Sequence, residues 1–135
     1  MTEENKRKSI ESELEKASDT LLQAELLFTN GFITGAVSRL YYFLLYYVRA
    51  LLLTKDLQPK SHEGMLRVFG LHFVKEGFFE AQDSHIFARL MKYREEADYN
   101  PSYTFAQEDF VAFRKEAETL AGKVRVFLER KGYLA

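Results

Sequence analysis

The chain has 135 residues, 47% of them hydrophobic and 29% charged, with a formal net charge of −1 and no cysteine. That balance excludes a disordered chain, a globally basic nucleic-acid binder, a disulfide scaffold, a thiolate zinc site and a thiol nucleophile. The length is that of one domain over residues 1–135, and a soluble, cytoplasmic protein with no membrane contact is expected. The N-terminal segment MTEENKRKSIESELEK lacks the apolar stretch of a signal peptide. The apolar run Leu40 to Leu53 contains Arg49 and is shorter than the ~20 residues that cross a bilayer.

Ile10, Leu14, Ala17, Leu21, Ala24 and Phe28 recur at intervals of three and four, which predicts a helix over 4–29. Asn30-Gly31 stops it, because both residues tolerate a left-handed backbone. A second helix is predicted from Phe32 to Lys55. Its middle, LYYFLLYYVRALLL, is apolar on almost every face, the mark of a helix that is central or shared with a second subunit. Pro59 breaks it, and Ser61 caps a third helix over 62–75 that ends near Gly77.

A fourth helix starts between Ala81 and Ser84 and carries Ile86, Leu90, Tyr93 and Ala97 on one face. It is expected to fray into Asp98-Tyr99-Asn100-Pro101, since the residue before a proline is disfavoured in helix. Thr104, three residues before Gln107, reads as a capping box for a last helix. That helix carries Phe110, Phe113, Ala117, Leu120, Val124 and Phe127 and ends before Lys131-Gly132. Nothing alternates with period two. The fold class is therefore all-α, an antiparallel up-and-down bundle of four to five helices.

Little of the chain carries recognisable chemistry. There is no glycine-rich phosphate loop, and His62-Glu63 begins like a zinc-binding HExxH but has Leu66 at the second histidine position. His62, His72 and His85 have no metal-ligand spacing, so neither metal nor cofactor is expected. Two places set polar residues on an apolar background. On the second helix, Arg39, Tyr42, Phe43 and Tyr46 share a face, with Tyr41 beside it. An arginine there needs a partner, either a carboxylate at the helix start or an anion in a binding or dimer cleft. On the fourth helix, Arg94 and Asp98 stand at i and i+4 with Tyr99 just past the end. By spacing alone this is a surface salt bridge that contributes ~0.2–0.5 kcal/mol. The functional alternative is a phosphate-binding Arg94 held by Asp98, with Tyr99 stacking or donating a hydrogen bond.

Taken in series, these segments resemble a known family. Arg39-Leu40-Tyr41-Tyr42 is similar to the R-x-Y-Y element of small prokaryotic HEPN-domain proteins. Lys60-Ser61-His62, Phe69, His72-Phe73 and Gly77 follow in order, and Arg94-Glu95-Glu96-Ala97-Asp98-Tyr99 resembles that group's R-x-x-A-D-Y. The resemblance runs from about Ala36 to Tyr103. It implies a helical bundle that forms a homodimer, with the arginine-bearing loops near a shared cleft, and a minimal nucleotidyltransferase partner in a toxin–antitoxin-like pair. Many such proteins are metal-independent RNases whose arginine is followed, after four to six intervening residues, by a catalytic histidine. Here those positions are Tyr99, Asn100 and Pro101.

The expectation is thus a binding or regulatory module for a nucleotide, an RNA phosphate or a nucleotidyltransferase partner, without catalysis. Arg94 would hold phosphate, Asp98 would orient it and Tyr99 would stack, with Arg39, Tyr42 and His62 in the same cleft. One alternative is a divergent RNase that uses Arg94 and Tyr99 with His62 delivered by the fold. The other is a purely structural dimerisation module built on the apolar helix of residues 40–53.

Overall fold

A computed structural model of the chain describes residues 1–135. Five helices form: α1 (Glu3–Thr29), α2 (Ile33–Leu53), α3 (His62–Phe69), α4 (Ala81–Tyr99) and α5 (Gln107–Arg130). The all-helical bundle expected from the periodicity is what the chain adopts.

Local chemistry explains most of the boundaries. Thr2 caps α1, its Oγ1 accepting from the Asn5 N–H at 3.1 Å, and Gly31 at φ 85° turns the chain out of it. Ser61 Oγ accepts from the Gly64 N–H at 2.8 Å and starts α3 as predicted. After Phe69 the chain widens into a π-type turn, Gly70–Val74, in which the Lys75 N–H reaches back five residues to Gly70 at 2.8 Å. That turn accounts for the predicted continuation to residue 75.

Two boundaries differ from expectation. Asp98 and Tyr99 do not fray; they complete the last turn of α4, and only Asn100 is extended ahead of Pro101. Thr104 does not cap α5. The cap is Ala106, whose N–H donates to Asp109 Oδ2 at 2.8 Å. Phe105 and Phe110, which flank this start, are buried in the same apolar cluster. Burying Phe105 stabilises by about 1.5–3 kcal/mol, more than a Thr cap contributes, so the helix begins two residues later than the motif indicates.

Polar pairs fix how the helices run. Lys6–Asp56, Glu13–Arg49 and Gln23–Arg39 step along α1 and back along α2, so the two are antiparallel. Lys123–Asp83 and Glu116–Arg89 set α5 antiparallel to α4 in the same way. α2 sits in the middle, with Leu40, Tyr41, Leu44, Val48, Ala50 and Leu51 wholly shielded from solvent. At 21 residues α2 is long and apolar enough to cross a membrane by composition, longer than the run Leu40 to Leu53 taken alone, but 78% of that window is buried inside the bundle. The same burial removes residues 40–53 as an assembly surface, because their apolar faces are already covered by the chain's own helices.

Candidate functional site

The site forms where the N-terminal half of α2, the first residue of α3 and the last turns of α4 meet. At its centre is Arg94, only 5% exposed. The surface salt bridge read from its spacing is therefore corrected: the helix face that holds Arg94 turns inward against α2. Its guanidinium carbon lies 5.4 Å from the Tyr41 ring, 6.0 Å from Tyr42 and 5.7 Å from Tyr99. Three aromatic faces thus surround one cation, and each attracts it through its ring quadrupole.

Aromatic faces do not satisfy N–H donors. Asp98 Oδ2 stands 3.8 Å from Arg94, an ion pair too long for a hydrogen bond. The other Asp98 oxygen is occupied, since Ser38 Oγ donates to Oδ1 at 2.7 Å. Arg94 Nε is fully buried with no hydrogen-bond partner. A buried donor left in this state costs about 1–3 kcal/mol, more when charged. The chain supplies charge balance for Arg94 but no acceptor.

His62 enters from the other side. Its Nδ1 is 2.6 Å from the hydroxyl of Tyr41, a wholly buried side chain. Burial pushes the Tyr41 phenol well above its ordinary value, and the opposing pull of Arg94 is weaker. The phenol is therefore protonated. Burial, then Arg94, then Arg49 lower the His62 pKa, while Glu95 acts the other way. A neutral imidazole facing a protonated phenol accepts at Nδ1, which leaves its own N–H on Nε2. This assignment follows from hydrogen-bond chemistry, and it gives the site a second N–H donor.

Of the residues expected to share a cleft, Arg94, Asp98, Tyr99, Tyr42 and His62 converge here. Arg39 joins through Tyr42, its guanidinium carbon 5.0 Å from that ring. Its polar partner is Gln23 at 3.4 Å, not the carboxylate expected at the helix start. Phe43 and Tyr46, placed on Arg39's face by periodicity, do not take part: Phe43 packs in the core against Tyr47, and Lys16 lies over Tyr46. One contributor was not singled out, Ser38, and Tyr41 was named beside the Arg39 face without a role in the cleft. Tyr41 lies inside the RLYY element itself and Ser38 is three residues before it, so the helical repeat from Tyr41 would have found Ser38. No group of three His, Asp or Glu residues is placed to hold a metal ion.

Known proteins are similar to this chain over most of its length. The model of the HEPN domain family matches residues 10–132. The chain is 36% identical over 129 residues to "Putative toxin MJ0142" of Methanocaldococcus jannaschii, covering 95% of this chain and 83% of that protein. It is 35% identical over 124 residues to "Putative toxin MJ0605" of the same organism, covering 92% and 87%. A UPF0332 protein of Thermotoga maritima is 33% identical over 124 residues, covering 92% and 94%. With a family match over nearly its whole length and relatives aligned end to end, the chain belongs to the HEPN domain family.

Proposed function

We propose that this protein is a toxin-like HEPN module that binds the phosphate backbone of single-stranded RNA at Arg94. The observation that carries the reading is the Arg94 guanidinium, buried among tyrosines with no acceptor of its own. A phosphate oxygen is the partner such a group suits, because planar N–H donors meet it with strong charge-assisted bonds. Tyr99, 74% exposed above Arg94, offers a face on which a base can stack. The names of the two Methanocaldococcus relatives support the toxin-like role.

Cleavage is the second reading, because the fold brings a histidine beside Arg94 despite the missing motif position. In it His62 Nε2 would take the 2′-hydroxyl proton. The O2′–P bond would form, the P–O5′ bond would break, and the 5′ oxygen would take a proton from water, whose hydroxide the His62 imidazolium then neutralises. That step needs a lone pair on Nε2, whereas the Tyr41 hydrogen bond favours a proton there. Binding without turnover is the better fit.

Two partners belong to this reading: a second copy of the chain and a minimal nucleotidyltransferase protein. Leu22, Leu26 and Phe32, all more than half exposed, supply apolar surface for one of them. The deciding experiment titrates labelled single-stranded RNA in EDTA by fluorescence anisotropy, with product analysis on a gel. Arg94→Ala is expected to weaken binding about 10–100-fold, the worth of one or two charged hydrogen bonds and more than any loss of folded protein accounts for. Intact affinity in that variant, or parallel loss of fold and binding, overturns the proposal. Arg94-dependent cleavage in EDTA would replace it with the second reading.

A further inference from the structure

A cavity of about 340 Å³ opens beside His62, lined by Arg49, Gln58, Pro59, Lys60, Ser61, His62 and Met65. All but Pro59 and Met65 are polar, and three carry or can carry positive charge. The elements explain the gathering. Arg49 lies two turns beyond Tyr42 on α2, roughly 10 Å along the axis. The chain leaves α2 through Asp56, at φ 58°, and Pro59 then directs Lys60 back over the α3 start that Ser61 caps.

The charges are arranged rather than scattered. Glu13, on α1 and buried, approaches Arg49 Nε at 3.6 Å from behind and Lys16 at 3.8 Å. Both approaches are by Glu13 Oε1 and are too long for hydrogen bonds, so Glu13 offsets part of the Arg49 charge without binding the group closely. Lys60 is exposed and takes part in none of the chain's ion pairs. His62 lines the pocket with Arg49, and its other neighbour, Tyr41, carries the Arg94 guanidinium 5.4 Å from its ring. On a chain of net charge −1 this is a local concentration of cations along one path.

We propose that the Arg49–Lys60 pocket is a second phosphate subsite. One RNA strand would cross from Arg94, past the Nε2–H of His62, to Arg49 and Lys60, with two of its phosphates held at once. A path of two cationic stations with a neutral donor between them fits a repeating polyanion better than a single small anion, which would occupy one station only. This rests on the reading of Arg94 as an RNA-phosphate ligand and adds the length of strand that the site recognises.

The test measures the affinity of oligouridylates of two and four nucleotides, in EDTA and across a salt series, for the unaltered chain, Arg49→Gln/Lys60→Gln, Lys60→Gln alone and Arg94→Ala. The unaltered chain is expected to bind the tetranucleotide about tenfold tighter than the dinucleotide. Arg49→Gln/Lys60→Gln abolishes that difference and lowers the salt slope by ~0.7, one phosphate contact on a single strand. Lys60→Gln alone shows part of the effect and, being a surface change, guards against misfolding from exposing Glu13. If Arg94→Ala weakens RNA binding while the pocket variants keep both the length dependence and the slope, the second subsite is wrong and the Arg94 reading stands. If Arg94→Ala binds RNA normally, both fall.

Discussion

Arg94 holds a charge in a place that folding alone would not choose. Its aromatic surroundings recover part of the desolvation cost, and Asp98 at 3.8 Å recovers more, yet Nε stays unpartnered. Removing one member of a buried ion pair leaves the other charge unpaired, a cost that is smaller here because Asp98 is 28% exposed and accepts from Ser38. Arg94→Met, which keeps the stem volume, is therefore expected to melt within a few degrees of the unaltered chain while losing RNA affinity. Calorimetry and anisotropy on one preparation check both halves; a drop of more than a few degrees would mean that Arg94 is structural. His62 gives a pH signature with a definite sign. Its folded pKa lies below the ordinary ~6.5, so the folded state binds fewer protons than the unfolded one. The stability it contributes is fully present above about pH 6.5 and is lost as pH falls through the depressed value. Melting temperature should decline from pH 7 towards pH 5, and His62→Gln should flatten that decline. An unchanged profile in the variant would place the titrating group elsewhere.

At the scale of an element, the start of α3 matters most because His62 is its first residue and Ser61 its cap. Losing the cap costs about 1 kcal/mol, and Ser61→Ala should both lower stability by that amount and weaken RNA binding as the His62 ring loses its anchor. Gly64 shows how tight the turn is. An alanine in mid-helix ordinarily stabilises by about 1 kcal/mol over glycine. A Cβ added there, however, would stand 2.7 Å from Ser61 Oγ, so the cap must give way. The two terms cancel, and Gly64→Ala should show no gain in melting temperature; a clear gain would show the cap to be dispensable. The shift of the α5 start from Thr104 to Ala106 is the same lesson in reverse. The motif was legible as letters, but the burial of Phe105 outweighed it.

For the whole molecule, α2 is the member against which the others are assembled, and its interior faces tolerate little. Leu44, wholly shielded, should cost ~2–5 kcal/mol on change to alanine, measured by denaturant melting, and should lower RNA binding only as far as it lowers the folded fraction. Helix number, helix type and most boundaries were legible in the sequence, because a stripe at three-and-four spacing, an Asn-Gly or a proline acts within a few residues of itself. Of the site, Arg94, Asp98, Tyr99, Tyr42 and His62 were legible as residue types in order along the chain. Their meeting was not. The period of one helix says which of its residues share a face, and says nothing of the rotation of α4 against α2 or of where the loop after Pro59 delivers His62. By itself the sequence determined an all-α chain of four to five helices and its resemblance to a helical family. Only the tertiary structure decided that Arg94 turns inward, because its fate depends on how Tyr41, Tyr42 and Ser38, more than fifty positions earlier, pack against the last turns of α4.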